Sequence, residues 1–241
     1  MIYNWLKDNL FGRFSKQCLL CLSPTINKHL ICSHCEKDLP TNKIHCVICS
    51  IPFSATDSSH LSLVCGKCQK HPPFYTTSLI PHIYASPLKQ LISHLKFHGN
   101  LTPAPLLAHS FIQVLGHRKT HLPECIIPVP LHPQRLRERG FNQALELARI
   151  ISKQLNIPLD YSVCYRNKAT PFQSGLSAKQ RIHNLHNAFR VTKTHSYKHV
   201  AIFDDVVTTG TTVNELAKQL RQSGVETIEV WAIARTKNKK G

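Results

Sequence analysis

The sequence predicts an α/β fold, a parallel sheet flanked by helices, with a small N-terminal four-cysteine zinc-binding module in front of it. Three observations predict this. Eight cysteines fall into four Cys-x-x-Cys pairs between residues 18 and 68. Two later stretches, residues 124–131 and 200–203, are apolar enough for strands buried on both faces of a parallel sheet. Each leads through a polar or small-residue turn into apolar residues at helical spacing.

At 241 residues the chain has room for one sizeable α/β domain and a small module, and a hydrophobic fraction of 42% is enough for a packed core. A formal charge of +17 and a pI near 9.7 favour polyanionic partners: nucleic acid, a phosphorylated metabolite or acidic lipid, with nucleic acid the best fit. Residues 1–17 carry Trp5, Leu6, Leu10, Phe11 and Phe14 in an amphipathic pattern broken by Lys7, Asp8 and Arg13, which is not a secretory signal. No stretch offers the roughly 20 apolar residues that span a bilayer. The expectation is a cytoplasmic protein that is not membrane-spanning, whose cysteines bind metal rather than form disulfides.

Each cysteine pair presents two thiolates from a tight knuckle, and two pairs complete the tetrahedral shell of a structural zinc. Sequential grouping gives one site from Cys18, Cys21, Cys32 and Cys35 and another from Cys46, Cys49, Cys65 and Cys68, the second spacing being the better zinc-ribbon match. Crossed pairing, with the first and third pairs sharing a metal, stays open, as does the count of one or two ions. Redox chemistry would use one pair beside a βαβ unit, not four in a polar stretch. With eight cysteines available, His29, His34, His45, His60 and His71 are expected on the surface. Pro72 and Pro73 end this zinc-knuckle module, a double zinc finger over residues 1–73, and residues 74–241 form the larger domain.

The larger domain opens with a strand over Thr77–Tyr84, interrupted by Pro81, and a helix over Pro87–Phe97. Leu88, Leu91, Ile92 and Leu95 mark its buried face, which leaves Lys89, His94, Lys96 and His98 in water. A second helix is expected over about residues 105–115. The strand at 124–131 runs into Arg135, Arg137 and Arg139, a cluster able to hold anions, and then a helix marked by Ala144, Leu147, Ala148, Ile151 and Leu155. A hydrophilic stretch follows over Arg166–Arg181.

Residues 200–203 then lead into Asp204 and Asp205, at the carboxyl end of a strand where α/β folds bind ligands. Val206 and Val207 precede a loop of Thr208, Thr209, Gly210, Thr211 and Thr212, and Val213, Leu216, Ala217 and Leu220 continue as a helix. Such a loop exposes backbone N–H groups and the positive end of a helix dipole to a phosphate. Gly224 is placed as the helix C′ residue, Glu226–Ala234 as a last, alternating strand, and Arg235–Gly241 as a basic tail.

Residues 200–212 resemble the phosphoribosyl pyrophosphate (PRPP) motif of type I phosphoribosyltransferases: four apolar residues, two acids, two apolar residues and Thr-Thr-Gly-Thr. The resemblance implies that Asp204 and Asp205 hold the ribose hydroxyls and Thr208–Thr212 the 5′-phosphate, with Val206 and Val207 between them. Residues 128–143, reading Pro-Val-Pro-Leu-x-x-x-Arg-x-x-x-Arg-Gly-Phe-Asn-Gln, are similar to the hallmark of the ComF family of bacterial competence proteins, which includes the GntX type. The cysteine knuckles, the helix carrying Lys96 and Phe97, and the PRPP motif follow in that family's order. Nearly the whole chain is therefore covered.

The resemblance implies a type I phosphoribosyltransferase-like fold and a pyrophosphate loop at Leu131 to Arg135. By analogy, Leu131, His132, Arg135, Arg139, Lys168, Gln173 and Arg181 would meet pyrophosphate or a nucleic-acid backbone, the last three from a loop that closes over PRPP. The implied role is binding phosphoribosyl groups and single-stranded DNA during DNA uptake and natural transformation, with proteins of the uptake machinery as further partners. One alternative is an active transferase using PRPP and magnesium with an unidentified base acceptor. Another is a metal-stabilised adaptor without ligand binding. No residue inside the loop offers a general base, so the sequence leaves enzymatic activity open.

Overall fold

The structure is a computed structural model and describes residues 16–27, 30–53, 63–97, 100–116, 121–167, 188–192 and 196–237. Its first described element is an antiparallel ladder of β1 (Lys16–Gln17) and β2 (Pro24–Thr25), with Cys18 and Cys21 in the connecting turn. The partner pair, Cys32 and Cys35, sits at the start of α1 (Ser33–Lys37), where the Cys32 thiol caps the helix by accepting from the Cys35 N–H. The second knuckle repeats the plan, Cys65 standing at the N-cap of α2 (Gly66–Lys70), which carries Cys68.

The strand expected across Pro81 is split into β3 (Thr77–Leu79) and β4 (His82–Ile83), because proline cannot donate to a ladder. After α3 (Leu88–Phe97) and α4 (Ala104–Leu115) comes β5 (Cys125–Pro128), which ends in a short helix, α5 (Pro133–Arg139), and a longer one, α6 (Gln143–Leu155). The arginines expected between this strand and the next helix therefore stand on a short helix of their own. Its C-terminus is closed by Gly140 at φ 81°, a left-handed position that favours glycine. β6 (Cys164–Arg166) and β7 (Phe189–Val191) pair antiparallel outside the main sheet. The chain closes with β8 (His199–Val207), α7 (Thr211–Gln222) and β9 (Thr227–Arg235).

The five-stranded sheet is parallel throughout, in the order β3-β9-β8-β5, with β4 also on β9. Helices α3, α4 and α6 cover one face, where Phe111 packs edge-on to Phe203 at 5.7 Å and tilts against Trp231 at 5.4 Å. Helix α7 covers the other face over Ile202, Val230 and Ala232. Each core takes in part of one cysteine cluster, Cys18 and Cys35 on the first face and Cys46, Cys49 and Cys68 on the second. The N-terminal module thus straddles the β3/β4 edge. It closes that edge with Ser78 Oγ to Ile48 O at 2.7 Å, Thr77 Oγ1 to Val47 O at 2.8 Å and Asn42 N–H to Pro81 O at 2.7 Å. No described helix is long and apolar enough to cross a membrane.

Two expectations are corrected in β9. The strand is buried on both faces rather than alternating, and Glu229, 4% exposed, is held there by Trp231 Nε1 at 2.8 Å and His199 Nε2 at 3.2 Å. Arg235 is the last residue of this strand, not the first of a tail, and it too is only 4% exposed.

Candidate functional site

The four thiols of each sequential group lie within 4.8 Å of one another, and the Cys21–Cys32 and Cys49–Cys65 sulfurs are each 3.7 Å apart. A tetrahedron with Zn–S bonds of about 2.3 Å has edges of about 3.8 Å, whereas a disulfide needs about 2.05 Å. Both clusters therefore fit zinc, and the grouping is sequential, not crossed. Among the described residues both clusters consist of cysteines alone. His45 instead points its Nδ1 at Asn42 O, 2.7 Å away.

The ligand-sized cleft, about 700 Å³, opens at the carboxyl ends of β5 and β8. Asp204, Asp205 and Thr208 line it from β8 and its loop, Leu131, Arg135 and Arg139 from the segment after β5, and Lys96 and Tyr84 from the opposite side. His132 sits outside this cleft, as the N-cap of α5, its Nδ1 accepting from the Gln134 N–H at 3.2 Å. The structure thus brings together residues from sequence positions more than a hundred apart. Arg137 is exposed and outside the cleft. Lys168, Gln173 and Arg181 lie outside the described residues.

Lys96 is the main correction. Expected in water, it reaches from the last turn of α3 to Asp205, Nζ to Oδ2 at 2.7 Å, with only 21% of its side chain exposed. Burial opposes its charge, but Asp205 and then Asp204 outweigh this and hold the ammonium above its usual pKa. Asp204 has the reverse problem. Burial, and then the neighbouring Asp205 charge, push its carboxyl up to about 8. The pair is therefore asymmetric, with one carboxylate neutralised by Lys96 and one inclined to keep its proton. Each also accepts the next backbone N–H, Asp204 Oδ1 from Asp205 at 2.8 Å and Asp205 Oδ1 from Val206 at 2.9 Å, which fixes both at the strand end.

Below the carboxylates, α7 begins without a side-chain cap at Gly210, whose φ of 77° disfavours any other residue. Thr209 and Thr211 join hydroxyls at 2.8 Å, and Thr209 Oγ1 also accepts from the Thr211 N–H at 3.4 Å, so the loop is pre-shaped around the start of the helix. Arg235 holds this loop from behind. Its guanidinium donates to Val207 O at 3.1 Å and to Thr208 O, and its Nε donates to Cys49 O at 3.0 Å, joining the loop to the second cysteine knuckle. On the other wall, Arg139 donates to Gln143 Oε1 at 2.8 Å; burial lowers its pKa, and Asp205 works against this. Asn142 caps α6 through Oδ1 and donates to Val129 O at 3.0 Å, locking the arginine helix to the end of the β5 segment.

Residues 8–76 match the double zinc ribbon domain family, and residues 142–241 match the phosphoribosyl transferase domain family. Competence protein F of Haemophilus influenzae is 38% identical over 233 residues, covering 92% of this chain and 98% of that protein. The chain belongs to the ComF family. Other ComF relatives include DNA utilization protein YhgH of Shigella flexneri, 39% identical over 91% of this chain and 96% of its own, and Competence protein ComFC of Bacillus subtilis, 26% identical over 80% and 79%. The transferase-domain match begins at Asn142, so Lys96 and the arginine helix, two of the walls of the ComF cleft, precede it.

Proposed function

We propose that this chain binds a phosphoribosyl group, as PRPP or another ribose phosphate, in the cleft, and that it handles single-stranded DNA in competence or DNA utilization alongside proteins of the uptake machinery. One observation carries the reading: Asp204 and Asp205 share one cleft with three cations, Lys96, Arg135 and Arg139, with Glu138 beside the arginines, and with Thr208 at the start of the loop that opens α7. Carboxylates accept from ribose hydroxyls, the helix end meets the 5′-phosphate, and the arginines meet a second anionic group. The names of the relatives, competence protein and DNA utilization protein, support the DNA side, as does the charge of +17.

A second reading is an active phosphoribosyltransferase, favoured by the arginines standing where pyrophosphate would leave. Asp205 already has Lys96 and Asp204 would have to release its proton to meet magnesium, so the ion would take most of its oxygens from the ligand itself. When bound, it would supply charge to the leaving pyrophosphate. Arg135 and Arg139 would orient that group, and the loop would fix the 5′ end. The adaptor reading has no use for this cleft.

Asp204→Asn/Asp205→Asn is expected to abolish the thermal stabilisation that PRPP gives the wild type and to lower transformation frequency. Unchanged PRPP binding and transformation in the double variant would remove the cleft from the function. Freshly purified protein is expected to carry two zinc ions per chain, and a ratio below one counts against the zinc assignment.

A further inference from the structure

A second cavity, about 600 Å³, adjoins the cleft and shares Leu131 and Asn142 with it as lining residues. Its remaining wall comes from the face of α5 that carries Leu136 rather than the cleft arginines, from the start of α6, and from Tyr161 and the β6 residues Cys164, Tyr165 and Arg166, which the phosphoribosyl reading does not use. Phe141, Tyr161 and Tyr165 gather here, in a chain with only 7% aromatic residues. Tyr161 is 62% exposed and Tyr165 48% exposed, so these two rings are not filling a core, whereas Phe141 is partly buried against it.

Two arginines neighbour the rings, Arg166 in the cavity wall, which also holds Glu146, and Arg190 beside it. Tyr165 lies directly opposite Arg190 in the β6–β7 register, and both are exposed, so an aromatic ring and a guanidinium stand side by side on the exposed face of this ladder. Arg166 packs over Phe189 at 5.6 Å and is near enough to Arg135 and Asp204 to feel both charges, which places it between the two cavities. Exposed rings interleaved with arginines form the usual surface for unpaired bases: each base has a π-face to stack, and each linking phosphate needs a cation.

We propose that this second cavity is a nucleobase site, stacking a base of single-stranded nucleic acid on Tyr161 and Tyr165 while the adjoining phosphates lie along Arg166 and Arg190. It rests on the phosphoribosyl reading of the neighbouring cleft, which it extends from a sugar phosphate to the base beyond it. With two exposed rings the site takes one base or two. Affinity therefore depends on base stacking at this point and on backbone charge elsewhere.

The test uses the full zinc-loaded chain and Tyr161→Ala/Tyr165→Ala, whose exposed positions should leave zinc content and melting temperature unchanged. Binding is measured for a short oligothymidylate, for an abasic oligonucleotide of equal length, for a free nucleobase in the presence of PRPP, and for PRPP alone. The variant is expected to bind oligothymidylate about ten-fold more weakly, to bind the abasic strand as the wild type does, and to keep its PRPP affinity. Free-base binding that weakens in the variant while strand binding does not would assign the same nucleobase site to a small-molecule source. Equal affinity of the wild type for the abasic and thymidylate strands, with no effect of the tyrosines on free-base binding, overturns the proposal. PRPP binding, read separately, decides the cleft.

Discussion

Asp205→Asn is expected to destabilise the chain by roughly 2–3 kcal/mol, whereas Asp204→Asn one residue away is expected to stabilise it. Asp205 is 7% exposed and sits 2.7 Å from Lys96, so removing its charge leaves a largely buried ammonium without its partner. Asp204, relieved of its neighbour's repulsion, then ionises and recovers part of the loss. This keeps the effect below the largest values for broken buried pairs. In the wild type the carboxyl of Asp204 is raised to about 8, so near neutral pH the folded chain holds a proton that the unfolded chain has released. That penalty is absent below the unfolded pKa of about 4 and grows as pH rises towards 8. Asparagine keeps the Asp205 N–H acceptor and removes the penalty, a gain of about 1–2 kcal/mol at pH 8 after allowance for the solvent that reaches Asp204. Urea unfolding at pH 8 and pH 4 checks both signs: the Asp204→Asn gain should vanish at the lower pH. Equal destabilisation by the two variants would show that the carboxylates are equivalent.

This asymmetry was invisible in the sequence, and the reason is physical. Residues 200–212 could be read directly because strand, carboxylates, loop and helix are consecutive, and each stage has a local pattern. The cysteine groups were equally local. Only the choice between sequential and crossed pairing needed coordinates. Lys96 could not be read that way. The apolar stripe of Leu88, Leu91, Ile92 and Leu95 identifies what α3 buries in the core, but its C-terminal turn overhangs the sheet and reaches a carboxylate 109 positions later. Periodicity reports burial against the nearest layer and carries no signal for a polar cleft at a helix end. Glu229 misled in a similar way. A charge in a strand suggests alternation, yet here Trp231 and His199 satisfy it inside a layer covered on both sides.

Arg235 was masked by the lysines after it, and its replacement carries the other large expected effect. Arg235→Met should cost about 3–4 kcal/mol, because Cys49 O, Val207 O and Thr208 O lose a buried charged donor together. Arg235→Lys should recover only part of this, since one ammonium lacks the fork that reaches the knuckle and the loop at once. The geometry also predicts where the damage appears. Amide hydrogen exchange should quicken at Thr208 to Val213, and a chelator should strip zinc faster from the Cys46, Cys49, Cys65 and Cys68 cluster than from the cluster of Cys18, Cys21, Cys32 and Cys35, which Arg235 does not touch. A variant that melts earlier with exchange and zinc release unchanged at these two places would make Arg235 ordinary core. The expected pattern would make the second knuckle part of the support of the Thr208–Thr212 loop. A zinc module on a phosphoribosyltransferase fold would then do more than close a sheet edge: it would set the stiffness of the proposed phosphate site from behind.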